Sequence, residues 1–160
     1  MWRSTEGSWS VAECVDHVAR SISHYLVPIR QAVVKGGPPA PDEDYVLVPG
    51  GWFSTAFLKR IGPQVTMKFK APRKIQPLSV KPGEVLGELQ RGHAEAAKLL
   101  AESAGINLNR IRFRNPFIPV LRFTVATGFL ILAAHGRRHL LQAQRVTETH
   151  GFPKSTAQSA

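Results

Sequence analysis

The sequence predicts an all-α domain, a bundle of long helices joined by long connections. Three observations carry this. Val11, Val15, Val18, Ile22, Leu26, Ile29 and Val33 recur at a strict 4-3-4-4-3-4 spacing, which lays one apolar seam along a helix of 3.6 residues per turn. A second run, 81–104, carries Val85, Leu89, Ala96, Leu100 and Ser103 on one face. A third, from Thr124 to about 149, is apolar nearly all round in its first half, so it should be the most buried helix.

Each helix has its own start and stop signals. Ser10-Val11-Ala12-Glu13 is a capping box with Ser10 at N-cap and Glu13 at N3, and Trp9 before it is placed to act as a hydrophobic staple. The helix over 10–34 contains Pro28, a kink position, and ends at Gly36-Gly37-Pro38-Pro39. Residues 36–79 are rich in Pro and Gly, and a connection this long is usually functional or disordered. It predicts one short helix over 52–60, between Gly50-Gly51 and Gly62-Pro63, whose Trp52, Phe53 and Phe57 pack over something. Val65 to Pro72 alternates like a strand but lacks an obvious partner, and reads as extended loop. Pro82 in its first turn and Gly105 past its end bound the next helix. Ile106 to Leu121 reads as a loop broken by Asn115-Pro116 and Pro119, and Thr124 caps the last helix. Leu140, Leu141, Ala143 and Val146 are expected to continue the core. Residues 1–153 form a single domain, and 154–160 a disordered tail.

Composition narrows the function classes. With 43% hydrophobic and 20% charged residues, the 160-residue chain is globular. Its single cysteine, Cys14, excludes an intramolecular disulfide and fits a reducing, cytoplasmic setting. No signal peptide is visible, and the apolar run from Phe123 to Ala134 is too short to span a bilayer. The net charge of +10 permits a polyanion partner, but the basic residues are scattered and form no nucleic-acid-binding motif. Specific nucleic acid and membrane partners are therefore not expected.

The chemistry-bearing stretch is His135-Gly136-Arg137-Arg138-His139. Histidines at i and i+4 stand on one helix face and can reach one metal ion. Two solvated histidines in a basic patch is the other reading. Gln142 shares their face, and Gly128, two turns earlier, leaves room above an ion. His17 lies roughly 120° from the centre of its helix seam at 100° per residue, on the flank, where a histidine is more often solvated than a ligand but can still reach a cleft where two helices diverge. Cys14, one turn before it, is a competing soft ligand or a small buried hydrophobe. His24 is too far along to share an ion with His17. His93 falls on the inward face of its helix, either a hydrogen-bonded histidine at the core edge or a general base.

Two segments together resemble a known family. Trp9-Ser10-Val11-Ala12-Glu13-Cys14-Val15-Asp16-His17 is similar to the W-S-x-x-E-x-x-x-H segment of the DinB-like superfamily. His135-Gly136-Arg137-Arg138-His139-Leu140-Leu141-Gln142 is similar to its H-x-x-R-H-x-x-Q segment, and Gly151-Phe152-Pro153 matches as well. The resemblance implies a four-helix bundle and a divalent metal on His17, His135 and His139. Relatives include bacillithiol transferases, mycothiol-dependent maleylpyruvate isomerases and metal-dependent hydrolases of unassigned substrate. Two departures stand out. Gly136 replaces a frequent glutamate, and only Met1 to Ser8 precede a segment that in the family follows a whole helix.

Three neutral imidazoles leave a divalent cation its full charge and open positions, which acidifies a bound water or thiol. No serine or cysteine nucleophile with a convincing base is visible. Zinc, nickel or iron suits such ligands. In this reading Gln142 orients a ligand, a water or the substrate, and Arg138 binds a carboxylate. The expected activity is thiol S-transfer or hydrolysis of a small molecule, with a low-molecular-weight thiol as possible cosubstrate. The competing reading is a non-catalytic metal-binding bundle. With one long helix missing or truncated, an apolar groove should face water. Segment 50–70 folding over it, a homodimer, or a helix encoded upstream of a misassigned Met1 would relieve this. The last, or a truncated chain, is the expectation, with poor solubility or dimerisation as its sign.

Overall fold

The structure, a computed structural model, describes residues 2–41, 45–64, 70–78 and 81–153. Its described residues form four α-helices: α1 Val11–Val34, α2 Trp52–Ile61, α3 Pro82–Glu102 and α4 Val125–Glu148. A two-stranded antiparallel ribbon, β1 Arg112–Arg114 and β2 Arg122–Thr124, completes the fold. Residues 65–69 of the segment read as extended over Val65 to Pro72, and the tail 154–160, lie outside the described residues.

Helix α1 is the hub, packed on both α3 and α4, while the short α2 packs on α4. His17 meets His135 and His139, whereas Ile29 lies beside Gly128, so α1 and α4 run antiparallel. A Cβ on Gly128 would stand 2.8 Å from Ile29 Cδ1 and from the Phe113 ring. The room that Gly128 leaves is thus filled by Ile29 and Phe113, not held open above an ion as the sequence reading had it.

The capping box is present in full: the Ser10 hydroxyl accepts from the Glu13 N–H, and the Glu13 carboxylate accepts from the Ser10 N–H. Thr124 caps α4 through the Thr127 N–H. Pro82 opens α3. These positions were legible because a cap is a local hydrogen bond made by a few residue types.

Elsewhere the fold departs from expectation. The loop over 106–121 contains β1, whose Phe113 pairs with Phe123 across the ribbon, both buried. A strand of three residues is too short for alternation to announce it. On α3, Leu99 rather than Leu100 is buried, Gly92 abuts Ile22, and His93 is exposed. Val85 and Ser103 are buried and Leu89 and Ala96 pack against the core, so the inward face is the one read from the sequence except at Leu100, and the exposed His93 is not a core-edge group. On α4, Leu140 is 69% and Leu141 38% exposed, so they leave the core that Ala143 and Val146 continue. Short α2 covers part of the expected groove from within. Phe53 stacks on Phe123 at 6.0 Å between ring centroids, Phe57 lies at 5.0 Å, and Leu58 and Ile61 join the core.

Candidate metal centre

Three histidines from the two ends of the chain meet between α1 and α4. His17 Nε2 is 3.2 Å from His135 Nε2, and His139 Nε2 is 3.1 Å from the same atom. The outer nitrogens are held by oxygens. His17 Nδ1 lies 2.6 Å from the Ile75 carbonyl, and His139 Nδ1 lies 2.9 Å from Gln142 Oε1. Both oxygens are acceptors, so both Nδ1 atoms carry the hydrogen and both neutral rings turn an Nε2 lone pair inward. One hydrogen on His135 Nε2 satisfies at most one of these neighbours. Such a convergence of lone pairs is what a cation binds. The spacing fits: zinc–nitrogen bonds of about 2.0–2.1 Å in tetrahedral array set nitrogens roughly 3.3 Å apart.

Burial favours the neutral form of every ring. It pushes His135 down to about 2, with the charges of His139, His17 and Arg138 acting in the same direction. Burial and the neighbouring His17 push His139 down to about 3, against the Gln142 hydrogen bond. His17 is also lowered, by burial above all, though its bond to Ile75 opposes this. Neutral imidazoles at pH 7 are the state a metal requires.

The structure places His17 in the cleft between helices and not in solvent. It is buried, not a solvated flank residue, because two groups cover that flank. The Trp9 ring lies 4.7 Å from His17 and 5.6 Å from His139, centroid to centroid, roofing the imidazoles rather than serving only as a staple. A 3-10 turn over Arg73–Ile75 supplies the carbonyl. α1 laces that segment down: Asp16 accepts from the Leu78 N–H, and Arg20 donates to the Lys74 carbonyl. Trp9 was visible beside the capping box, but its role over the rings was not. Ile75 carried no signal, since any residue offers a carbonyl.

Cys14 is not part of the cluster. It is buried, and burial pushes its thiol up to about 12, so it behaves as a small hydrophobe. His24 packs on Phe117, and His150 is exposed beyond α4. Among the described residues, His17, His135 and His139 are the group of histidine, cysteine or acidic side chains able to share one ion.

A cavity of about 560 Å³ opens beside His139 and Gln142, with Trp9, Arg138 and Arg145 on its walls. Arg138 reaches across to donate to the Arg60 carbonyl at the end of α2. Glu13 also faces the cavity. Burial would raise its pKa, but its bonds from the Ser10 N–H and Arg3 outweigh this and hold it below the ordinary value.

A model of the DinB superfamily matches residues 1–143. The chain belongs to the DinB superfamily. No curated protein and no solved structure matches significantly. In this DinB-superfamily chain, Gly136 faces open space, where a Cβ would meet nothing within 4 Å. No described helix is long and apolar enough to cross a membrane.

Proposed function

We propose that this protein is a metal-dependent enzyme acting on a small molecule, a thiol S-transferase or hydrolase, with His17, His135 and His139 as ligands. The observation that carries the reading is the convergence of three Nε2 atoms, two of them aimed by the Ile75 carbonyl and Gln142. Zinc, nickel or iron suits imidazole ligands, and when bound supplies a Lewis acid that acidifies a water or thiol.

The chain's own residues do the rest. Gln142 fixes the His139 ring, and Trp9 shields two imidazoles from bulk water. Arg138, on the cavity wall, holds an anionic group of substrate or cosubstrate. A structural zinc site closes with four protein ligands, whereas a catalytic one keeps a position open. Among the described residues no fourth ligand joins the cluster, and a cavity adjoins it. Both features favour turnover over a purely structural ion.

The buried free thiol of Cys14 suits a reducing, cytoplasmic setting. Specific nucleic-acid partners are not part of this reading. The test is a panel of thiols with electrophilic cosubstrates, and of ester and amide substrates. Each is assayed with metal-loaded protein, metal-stripped protein and His135→Ala. Turnover confined to the loaded wild type is expected. Equal rates in all three preparations would contradict the proposal.

A further inference from the structure

The cavity beside His139 is unusually rich in positive charge. Arg138, Arg145 and Lys70 line it, and the sole acid among its described lining residues is Glu13. Glu13 is already committed, to the Arg3 guanidinium and to the Ser10 N–H. Among the described residues neither Arg145 nor Lys70 forms an ion pair. Like charges gathered at one cavity destabilise each other, and an anion entering beside Arg145 and Lys70 relieves this.

Helix geometry gives the cavity a direction. Arg138 and Arg145 are seven residues apart, so they lie on one face of α4, roughly 10.5 Å apart along its axis. Gln142 lies between them. Arg145 stands six residues beyond His139, roughly 9 Å along the axis. Ser4, Thr5 and Gln76 add uncharged hydrogen-bonding groups to the walls.

We infer that this cavity is a subsite for a small organic acid, whose carboxylate docks at Arg145, supported by Arg138 and Lys70, while its other end reaches the three histidines. The inference rests on the functional reading above and extends it by naming substrate class and anchor. Arg145 is an anchoring residue in this scheme, and a guanidinium suits a carboxylate because its planar fork bonds both oxygens.

The experiment compares 3-mercaptopropionate with its neutral amide by calorimetry on zinc-loaded, tag-free protein. Wild type, Arg145→Gln and Arg145→Lys are compared, each with zinc content measured independently. Wild type should favour the acid about tenfold or more, the weight of a charge-assisted hydrogen bond. Arg145→Gln should lose that preference at unchanged zinc content, and Arg145→Lys should keep part of it. Equal affinity for acid and amide in the wild type overturns the subsite and leaves the metal reading standing. So does a preference that survives in Arg145→Gln.

A parallel arm uses metal-stripped protein with glutarate and its diamide. If the protein takes up no zinc, the functional reading falls, and this arm alone decides the subsite. A glutarate preference that depends on Arg145 sustains it, and indifference between the two overturns it.

Discussion

The two ends of the α1–α4 pair are built from opposite materials. At one end, Ile22, Tyr25, Leu26 and Ile29 of α1 pack with Val125, Ala126, Phe129 and Leu132 of α4 in a core that also holds Phe113 and Phe123. At the other, Ser10, Glu13, Asp16 and His17 are buried beside His139 and the half-buried His135. The apolar end removes hydrocarbon from water and holds the helices together. The polar end needs partners for its buried atoms; caps, carbonyls and an amide hold most of them, while the Nε2 atoms of the three histidines are left facing one another. The two ends should therefore fail in different ways.

The largest effect belongs to the apolar end. Phe123→Ala empties a position that is 1% exposed between α2 and the helix pair, and should cost about 3–5 kcal/mol in urea unfolding. Ile29→Ala, at a fully buried position, should cost about 2–5 kcal/mol. Gly128→Ala should cost about 1–3 kcal/mol, because its methyl must displace Ile29 or Phe113. In each case the fraction that remains folded should bind metal as the wild type does. A loss of metal affinity in folded Ile29→Ala would erase the distinction between the ends.

The next effect is a pH dependence of the polar end. Each histidine's folded-state pKa lies below its ordinary value near 6.5. As pH falls through that value, the unfolded chain takes up protons that the folded chain refuses. The stability from the neutral rings is thus complete above about pH 6.5 and is lost as pH falls towards about 3, where His139 itself titrates. For the metal-free protein, the unfolding free energy from urea curves should fall between about pH 6.5 and 5 by about 1.4 kcal/mol per pH unit for each of His135 and His139. His139→Gln should show a shallower slope. An unchanged slope would mean that His139 is not held neutral.

The smallest effect is that of Gln142→Ala. It leaves all three imidazoles but frees the His139 ring, and should weaken metal binding by roughly 10–100-fold. An unaltered affinity would make Gln142 a cavity-wall residue only.

This contrast also explains what was legible in advance. Long amphipathic seams, the capping box and the Thr124 cap are patterns local to one helix, and each was readable from residue type and spacing. The i, i+4 histidine pair was readable for the same reason. The burial of His17 was not, because it depends on Trp9, on the turn at Ile75 and on how α1 meets α4. His93 and Leu100 were misplaced because an error of one residue turns a helix face by about 100°. Leu140 and Leu141 look like core until the neighbours of α4 are known. The ribbon of Phe113 and Phe123 is built from contacts across a turn, and three residues per strand carry too little periodicity to reveal it. Arg145 drew no notice in the sequence, since its meaning lies in the cavity wall it forms.

The most direct test of the account is a zinc titration of tag-free, metal-stripped protein, followed by calorimetry with elemental analysis of the product. The account predicts uptake of about one ion per chain. It also predicts loss of most of the affinity in His17→Ala, His135→Ala and His139→Ala, and nearly full retention in His24→Ala, His93→Ala and His150→Ala. No uptake by the folded wild type, or equal uptake by folded His135→Ala, would contradict it.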